Sequence, residues 1–345
     1  MRRVVGLTLT GLGVFFLVLA LLMRFYLPGQ VVKFPLNWYS VQTAVGHNMT
    51  YFSLKEGKEL SGVTMRGTST VEGDVAAGSS STAVWTDISG VEDLTNHQPV
   101  SYTSQRSAFN RRTGELTNCC GARIGTDTSV RQTGQGYVWP FSTQQRTYQL
   151  FNTMLLRPWP AVYEGTAKTD GRTTYEFVQT INNQKIGTQT VPGALVGMSQ
   201  ASVTLPEYLT ATDTYWVDPV LGAPLAANED RTVSLEDGSG GTRLILYQGD
   251  LVSTPQSIAE ALSDLHSDRQ KLEFVENIGP LIGLILGIVL LVAGIILILS
   301  APAEQEYAND DDDEDLDGSD DAHEQVHAED RSPEAVGGEQ ADTAG

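Results

Sequence analysis

Cysteine and histidine are nearly missing from this chain, with two of the first and five of the second in 345 residues. Two adjacent cysteines cannot make a disulfide framework, so the fold must rest on a hydrophobic core. The histidines His47, His97, His266, His323 and His327 are scattered, and no His-Glu-x-x-His pair occurs. No metal and no cofactor is expected on that pattern. Basic residues are scarce as well, 22 Lys and Arg against 42 Asp and Glu, for a net charge of -20. A nucleic-acid binder needs a basic footprint, so nucleic acid is not an expected partner. Phosphate loops and dinucleotide fingerprints are missing too. Between residues 38 and 250 no long run has helical period.

What is present begins with two uncharged apolar runs, residues 4–23 and 278–299, of 20 and 22 residues. At about 1.5 Å per residue each covers about 30 Å, the thickness of a bilayer core. The first run is longer than a signal-peptide apolar stretch, lacks a following Ala-x-Ala site and is closed by Arg24, so it reads as a retained anchor. Arg2 and Arg3 place the N-terminus in the cytoplasm, and two spans return the C-terminus there, leaving residues 25–277 outside. The expected location is a cell membrane crossed twice. Gly6, Thr10 and Gly13 in one run, and Gly279, Gly283 and Gly287 in the other, put small residues on one helix face, where backbones approach closely. Such a face serves pairing of the two anchors or association between copies, so a homo-oligomer stays open.

The intervening region is rich in Thr, Ser, Val, Tyr and Gly in short alternating runs. Residues 64–71, 83–88, 231–235 and 242–247 read as strands, the last two joined by a turn at Asp237-Gly-Ser-Gly-Gly241. Residues 175–181 and 184–191 alternate about Asn182-Asn183, which predicts another hairpin. The expected fold class is membrane-anchored and mainly β: an anchor over 1–24, a large antiparallel β ectodomain over 25–252, and a transmembrane helix over 278–300. Thr254-Pro255 opens a juxtamembrane amphipathic helix over 253–277, with Ser257 and Glu260 as an alternative capping box. Its Ile258, Leu262, Leu265 and Leu272 share a face, which packs on the β-domain or lies on the membrane. Residues 301–345 hold 17 of the 42 acids and one base, Arg331. That tail has too little apolar surface to offset chain entropy and is expected to be disordered, a docking site for a basic partner.

Catalytic signals are weak, and an enzyme is not expected. Gly197-Met-Ser199-Gln-Ala201 has the spacing of a nucleophile elbow, but residues 202–206 that follow do not read as a helix. Asp213, Asp218, Glu229 and Asp230 offer carboxylates without a defined geometry, and Asp218-Pro219 followed by Gly222 reads as a turn. Cys119 and Cys120 leave three possibilities: a vicinal disulfide that stiffens a turn, a bridge between chains, or free thiols.

Four segments carry a resemblance: Arg112-Thr-Gly-Glu-Leu-Thr-Asn-Cys-Cys120; Tyr137-Val-Trp-Pro-Phe141 followed by Tyr148 and Phe151; Tyr163-Glu-Gly-Thr166 leading to Thr174-Tyr-Glu-Phe177; and Tyr215-Trp-Val-Asp-Pro-Val-Leu-Gly222. With the paired anchors, they make residues 1–300 resemble the actinobacterial membrane proteins grouped as PorA-type porins. The resemblance implies an envelope protein whose exported region lies beneath or within an actinobacterial cell envelope. A membrane β-barrel needs strands of about 9–11 residues with a lipid-facing apolar row. The strands here read as short and polar, so a self-contained pore is disfavoured.

Trp139, Phe141, Tyr148, Phe151 and Trp159 crowd into one stretch and are the candidate ligand-binding residues, as an apolar groove beside the bilayer. The leading expectation is an ectodomain that binds or transfers lipid, similar in topology to the animal scavenger receptors that carry lipids through a β-rich ectodomain. An envelope scaffold that engages protein partners through its acidic tail, and a porin-like channel component, are the alternatives.

Overall fold

The computed structural model describes residues 1–27 and 32–301, apart from the side chains at 267, 268, 271, 273 and 276. The acidic tail expected over 301–345 therefore lies, from residue 302 on, outside the described residues, as do His323 and His327.

Helix α1 (Arg2–Phe25) leads into twelve strands: β1 (Tyr39–Ser53), β2 (Lys58–Gly73), β3 (Thr82–Asp93), β4 (Gln98–Asn110), β5 (Leu116–Thr117), β6 (Arg123–Ile124), β7 (Tyr148–Asn152), β8 (Arg157–Thr169), β9 (Arg172–Pro192), β10 (Ser202–Val217), β11 (Pro224–Glu236) and β12 (Thr242–Ser253). Helix α2 (Pro255–Glu273), a π turn (Phe274–Ile278) and helix α3 (Gly279–Leu299) follow. The strands form one antiparallel half-barrel sheet in the order β5-β4-β3-β2-β1-β12-β11-β10-β9-β8-β7, with β6 against β4. The first and last long strands therefore meet in its middle, Ala44 opposite Ser253. Its two far edges are linked through Gly134 and Gln135, the Gly134 carbonyl accepting from the Leu116 N–H at 2.8 Å. Gln135 pairs with Glu115 on one side and Leu150 on the other, its N–H donating to Gln149 at 2.7 Å and its carbonyl accepting from Phe151 at 2.8 Å.

Two expectations need correction. The strands are not short: β9 runs 21 residues and β2 and β10 run 16 each. Asn182-Asn183 does not turn the chain either. It sits inside β9 as a bulge, where register slips opposite Thr210 and Asn183 takes φ 42°. Asparagine tolerates that left-handed geometry, so an Asn pair marks a bulge as readily as a hairpin. The Asp237 turn does join β11 to β12, Asp237 Oδ1 accepting from the N–H groups of Ser239 at 2.8 Å and Gly241 at 2.9 Å.

The two apolar helices lie antiparallel and close. Gly6 faces Gly294 and Ile298, Gly13 faces Gly287 and Leu291, Gly283 faces Ala20, and Gly279 faces Met23. A Cβ on Gly13 would stand 2.6 Å from the Leu291 nitrogen, so a side chain there would force the helices apart. Thr10 borders Gly294, and its hydroxyl donates back to the Gly6 carbonyl at 2.9 Å. The outward face of α3, with Leu281, Ile285 and Val289 about half exposed, is apolar, as a lipid-facing surface requires. Both helices are long and apolar enough to cross a bilayer.

Of the two dispositions open to α2, the structure has it packed on the β-domain. Leu265 and Leu272 are buried with Leu221 and Leu225. Thr254 is the cap, its hydroxyl accepting from the Ser257 N–H at 3.2 Å. Ser257 instead turns its hydroxyl to accept from the Thr43 N–H on β1, at 3.0 Å.

Candidate functional site

Beneath α2 the inner face of the sheet is not filled. A cavity of about 660 Å³ lies between α2 and strands β1, β2 and β3, a size usual for small-molecule sites. Its wall is aromatic: Phe34, Trp38, Trp85, Tyr137 and Phe141. Phe34 stacks on Phe141 at 4.3 Å between ring centres, and Trp38 on Trp85 at 5.8 Å. Its roof is one face of α2, where Ser257, Ala261, Leu265 and Leu272 follow helical spacing. Residues from both anchors' continuations border it, Val32 soon after α1 and Val275 in the π turn before α3.

The roof is held by a buried carboxylate. Asp218, fully shielded from solvent, accepts from Arg269 of α2 at 2.9 Å and Arg172 of β9 at 3.5 Å. Its other oxygen caps the following turn, accepting from the N–H groups of Val220 at 2.8 Å and Leu221 at 3.0 Å. Gly222 closes that turn at φ 69°, and a Cβ there would run into the Trp139 carbonyl. Glycine is required on both counts. The sequence expectation of a turn at this point agrees with the structure.

Asp87 on β3 lines the cavity, accepting from Ser69 Oγ at 2.6 Å and Ser89 Oγ at 2.8 Å. Burial pushes its carboxyl above the ordinary value, more than these two hydroxyls lower it. The Tyr137 hydroxyl donates to the Gln105 carbonyl at 3.0 Å, and burial raises its pKa strongly. Glu260 and Asp264 of α2 and Lys33 complete the charged lining.

Elsewhere inside the half-barrel lies an ion cluster. Asp213 and Glu229 face each other across β10 and β11. Arg231 donates to both oxygens of Asp213 at 2.9 Å and lies 3.1 Å from Glu229. Burial alone would lower the Arg231 pKa, but its two carboxylate neighbours hold it well above the usual value. Burial raises the Glu229 carboxyl, with Asp213 and then Asp87 adding like-charge repulsion and Arg231 opposing them. A third of the Glu229 side-chain surface, 33%, stays accessible. Two of the four carboxylates noted in the sequence thus meet, but one arginine bridges both, and Asp218 is structural. Ser199 stands between the short 3-10 turn Gly193–Val196 and β10, with no helix after it.

The aromatic stretch divides. Of the five residues expected to bind ligand, Phe141 alone lines the cavity. Trp139 and Tyr148 fill a separate core with Phe177 and Val217. Phe151 packs into the cluster of Trp85 and Phe109 from behind the cavity wall. Trp159 sits near Ile181 and Leu209, under the Arg157 guanidinium at 5.1 Å. Sequence reasoning missed Phe34, Trp38 and Trp85. A signal was available in Phe34-Pro-Leu-Asn-Trp38, an aromatic pair close behind an anchor and so near the bilayer. Cys119 and Cys120, three-way open in the sequence, are bonded to each other in a turn beside Arg106, whose Nε donates to the Cys120 carbonyl at 3.2 Å. Among the described residues no group of His, Cys, Asp and Glu is arranged to hold a metal.

No curated protein matches the chain. A model of the family described as Porin PorA covers residues 5–296, which takes in both apolar helices and the whole sheet between them. The chain therefore belongs to the Porin PorA family.

Proposed function

We propose that this membrane protein takes the apolar part of a lipid into the cavity under α2 and presents or passes it at the envelope side of the bilayer. The carrying observation is the cavity itself, about 660 Å³, aromatic-walled and bordered by the continuations of both anchors. Each methylene moved from water into such a space contributes about 0.8 kcal/mol. The antiparallel anchors put residues 1 and 300 at the same end of the helix pair, which supports a topology with both of these ends on one side, and Arg2 and Arg3 favour the cytoplasm as that side. Full-length protein moved from mild detergent into nanodiscs, then measured by native mass spectrometry with release of bound species, tests the reading. A retained stoichiometric lipid is expected, and a clean ligand-free mass overturns it.

The interior ion cluster favours a second reading, a channel component, in keeping with the family's description. Against it stands the sheet's outer surface. Exposed large apolar side chains on the described strands, such as Ile88, Tyr102, Val162 and Val252, are scattered and form no continuous lipid-facing band. Steady unitary conductance from the purified protein in planar bilayers would establish this second reading.

A further inference from the structure

The lipid reading leaves the head group open, and the cavity's charges address it. Resting on that reading, we propose that the cavity selects an amphiphile with an uncharged, hydroxyl-bearing head, as in a sugar or polyol ester, over one with a phosphate, carboxylate or ammonium. Among the described residues the lining carries three carboxylates, Asp87, Glu260 and Asp264, against one cation, Lys33. Arg231, the cation in the interior ion cluster, is already engaged by Asp213 and Glu229. An anionic head would meet net negative charge, from the exposed Glu260 and Asp264 of α2 and from Asp87 on the wall, where water screens less.

Asp87 shows what head is accepted. A carboxylate offers about four acceptor positions. Two are filled by hydroxyls, Ser69 and Ser89, at 2.6 and 2.8 Å. The group lines the cavity, so its remaining capacity is available there. Hydroxyl donors already satisfy it without a salt-bridge cation, and further hydroxyls extend that pattern. An ammonium would have to leave its own hydration shell in an apolar chamber, a cost that pairing with a carboxylate often fails to recover. The aromatic wall suits the same ligand, since Trp and Tyr faces accept the apolar face of a sugar ring as well as an acyl chain.

The test uses three amphiphiles with one tail: dodecyl glucoside, dodecyl phosphate and dodecylammonium, each below its micelle concentration. Binding to full-length protein in nanodiscs is followed by tryptophan emission, with empty nanodiscs correcting for partition. Dodecyl glucoside is expected to bind at least about tenfold tighter than either charged analogue. Asp87→Asn is expected to narrow the gap between glucoside and phosphate, a ratio that general loss of fold would not move. Ala261→Phe, which fills the space from α2, is expected to weaken all three together. If the phosphate or the ammonium binds as well as the glucoside, the head-group inference is overturned while the cavity reading stands. If none of the three binds above the partition control, the lipid reading fails and takes this inference with it. The ranking in the unmodified protein decides the matter even if a variant does not fold.

Discussion

Two aromatic clusters of similar make-up sit in one half-barrel and do different things. Around Trp139, the rings of Tyr148, Phe177 and Tyr215 pack with Ala161 and Val217, and the Trp139 indole nitrogen is buried without a hydrogen-bond partner. Around Trp85, the rings of Phe34, Trp38, Tyr137 and Phe141 pack on one another but leave their other faces on a chamber. The difference lies in what covers each. The first is crossed by residues 137–141 and locked by the Asp218 turn, where the Trp139 N–H donates to the Gly222 carbonyl at 2.7 Å. The second is roofed by a helix that presents Ser257, Ala261 and Leu265 to the chamber and meets β1 through the Ser257 hydroxyl. Aromatic content alone does not mark a binding site; what packs against the rings does.

The comparison can be broken first at its centres. Trp139→Ala is expected to cost about 3–5 kcal/mol, as for large buried aromatics. Trp38→Ala, half-buried on the chamber, is expected to cost about 1 kcal/mol and to weaken lipid retention instead. Thermal unfolding in nanodiscs gives both values; equal losses would mean that the chamber wall is ordinary core. Next comes the ion cluster. Arg231→Gln leaves Asp213, fully buried, without its cation, and about 3 kcal/mol of destabilisation is expected in the same assay. Thr254→Ala removes the cap of α2 and is expected to cost about 1 kcal/mol while speeding hydrogen exchange in residues 255–261 over the chamber.

The smallest expected effect is a pH slope. Asp87 and Glu229 have carboxyls raised above their ordinary 3.8 and 4.5. Their contribution to stability is complete below those values and is lost as pH rises through the raised folded ones. Asp93 behaves oppositely. Burial would raise it, but hydrogen bonds from Asn96, Thr95 and Tyr51 hold it below 3.8, so its contribution is lost as pH falls. Melting temperatures from pH 4 to 7 should therefore fall less steeply in Asp87→Asn and Glu229→Gln than in the unmodified protein. A steeper fall in either variant would contradict the enclosed setting described for these groups.

Much of the framework was legible because it depends on local pattern. Apolar length marked the two helices, the Gly6, Gly13, Gly283 and Gly287 spacing marked their small-residue faces, and Thr254-Pro255 marked the start of α2. The length of β9 was not legible, because a bulge at Asn183 and a turn there use the same left-handed residue type. The chamber was less legible still. Its wall draws on residues within 32–42, 69–87, 137–141 and 221–275, which the meeting of β1 with β12 and the docking of α2 bring together. Proximity in sequence grouped Trp139, Tyr148 and Trp159 with Phe141, whereas proximity in space separates them.

The meeting of β1 with β12 also orders the protein's birth. A ribosome delivers β1 through β4 early, yet the partner of Ala44 is Ser253, more than two hundred residues later. Until then the half-sheet keeps a bare edge along β1, and the glycines of α1 wait for those of α3. Sheet and helix seam are both completed by the last third of the described chain. For that interval the first anchor is the nascent protein's only finished tether, and the exposed β1 edge is where a chaperone, or a neighbouring copy of the same strand, would find it.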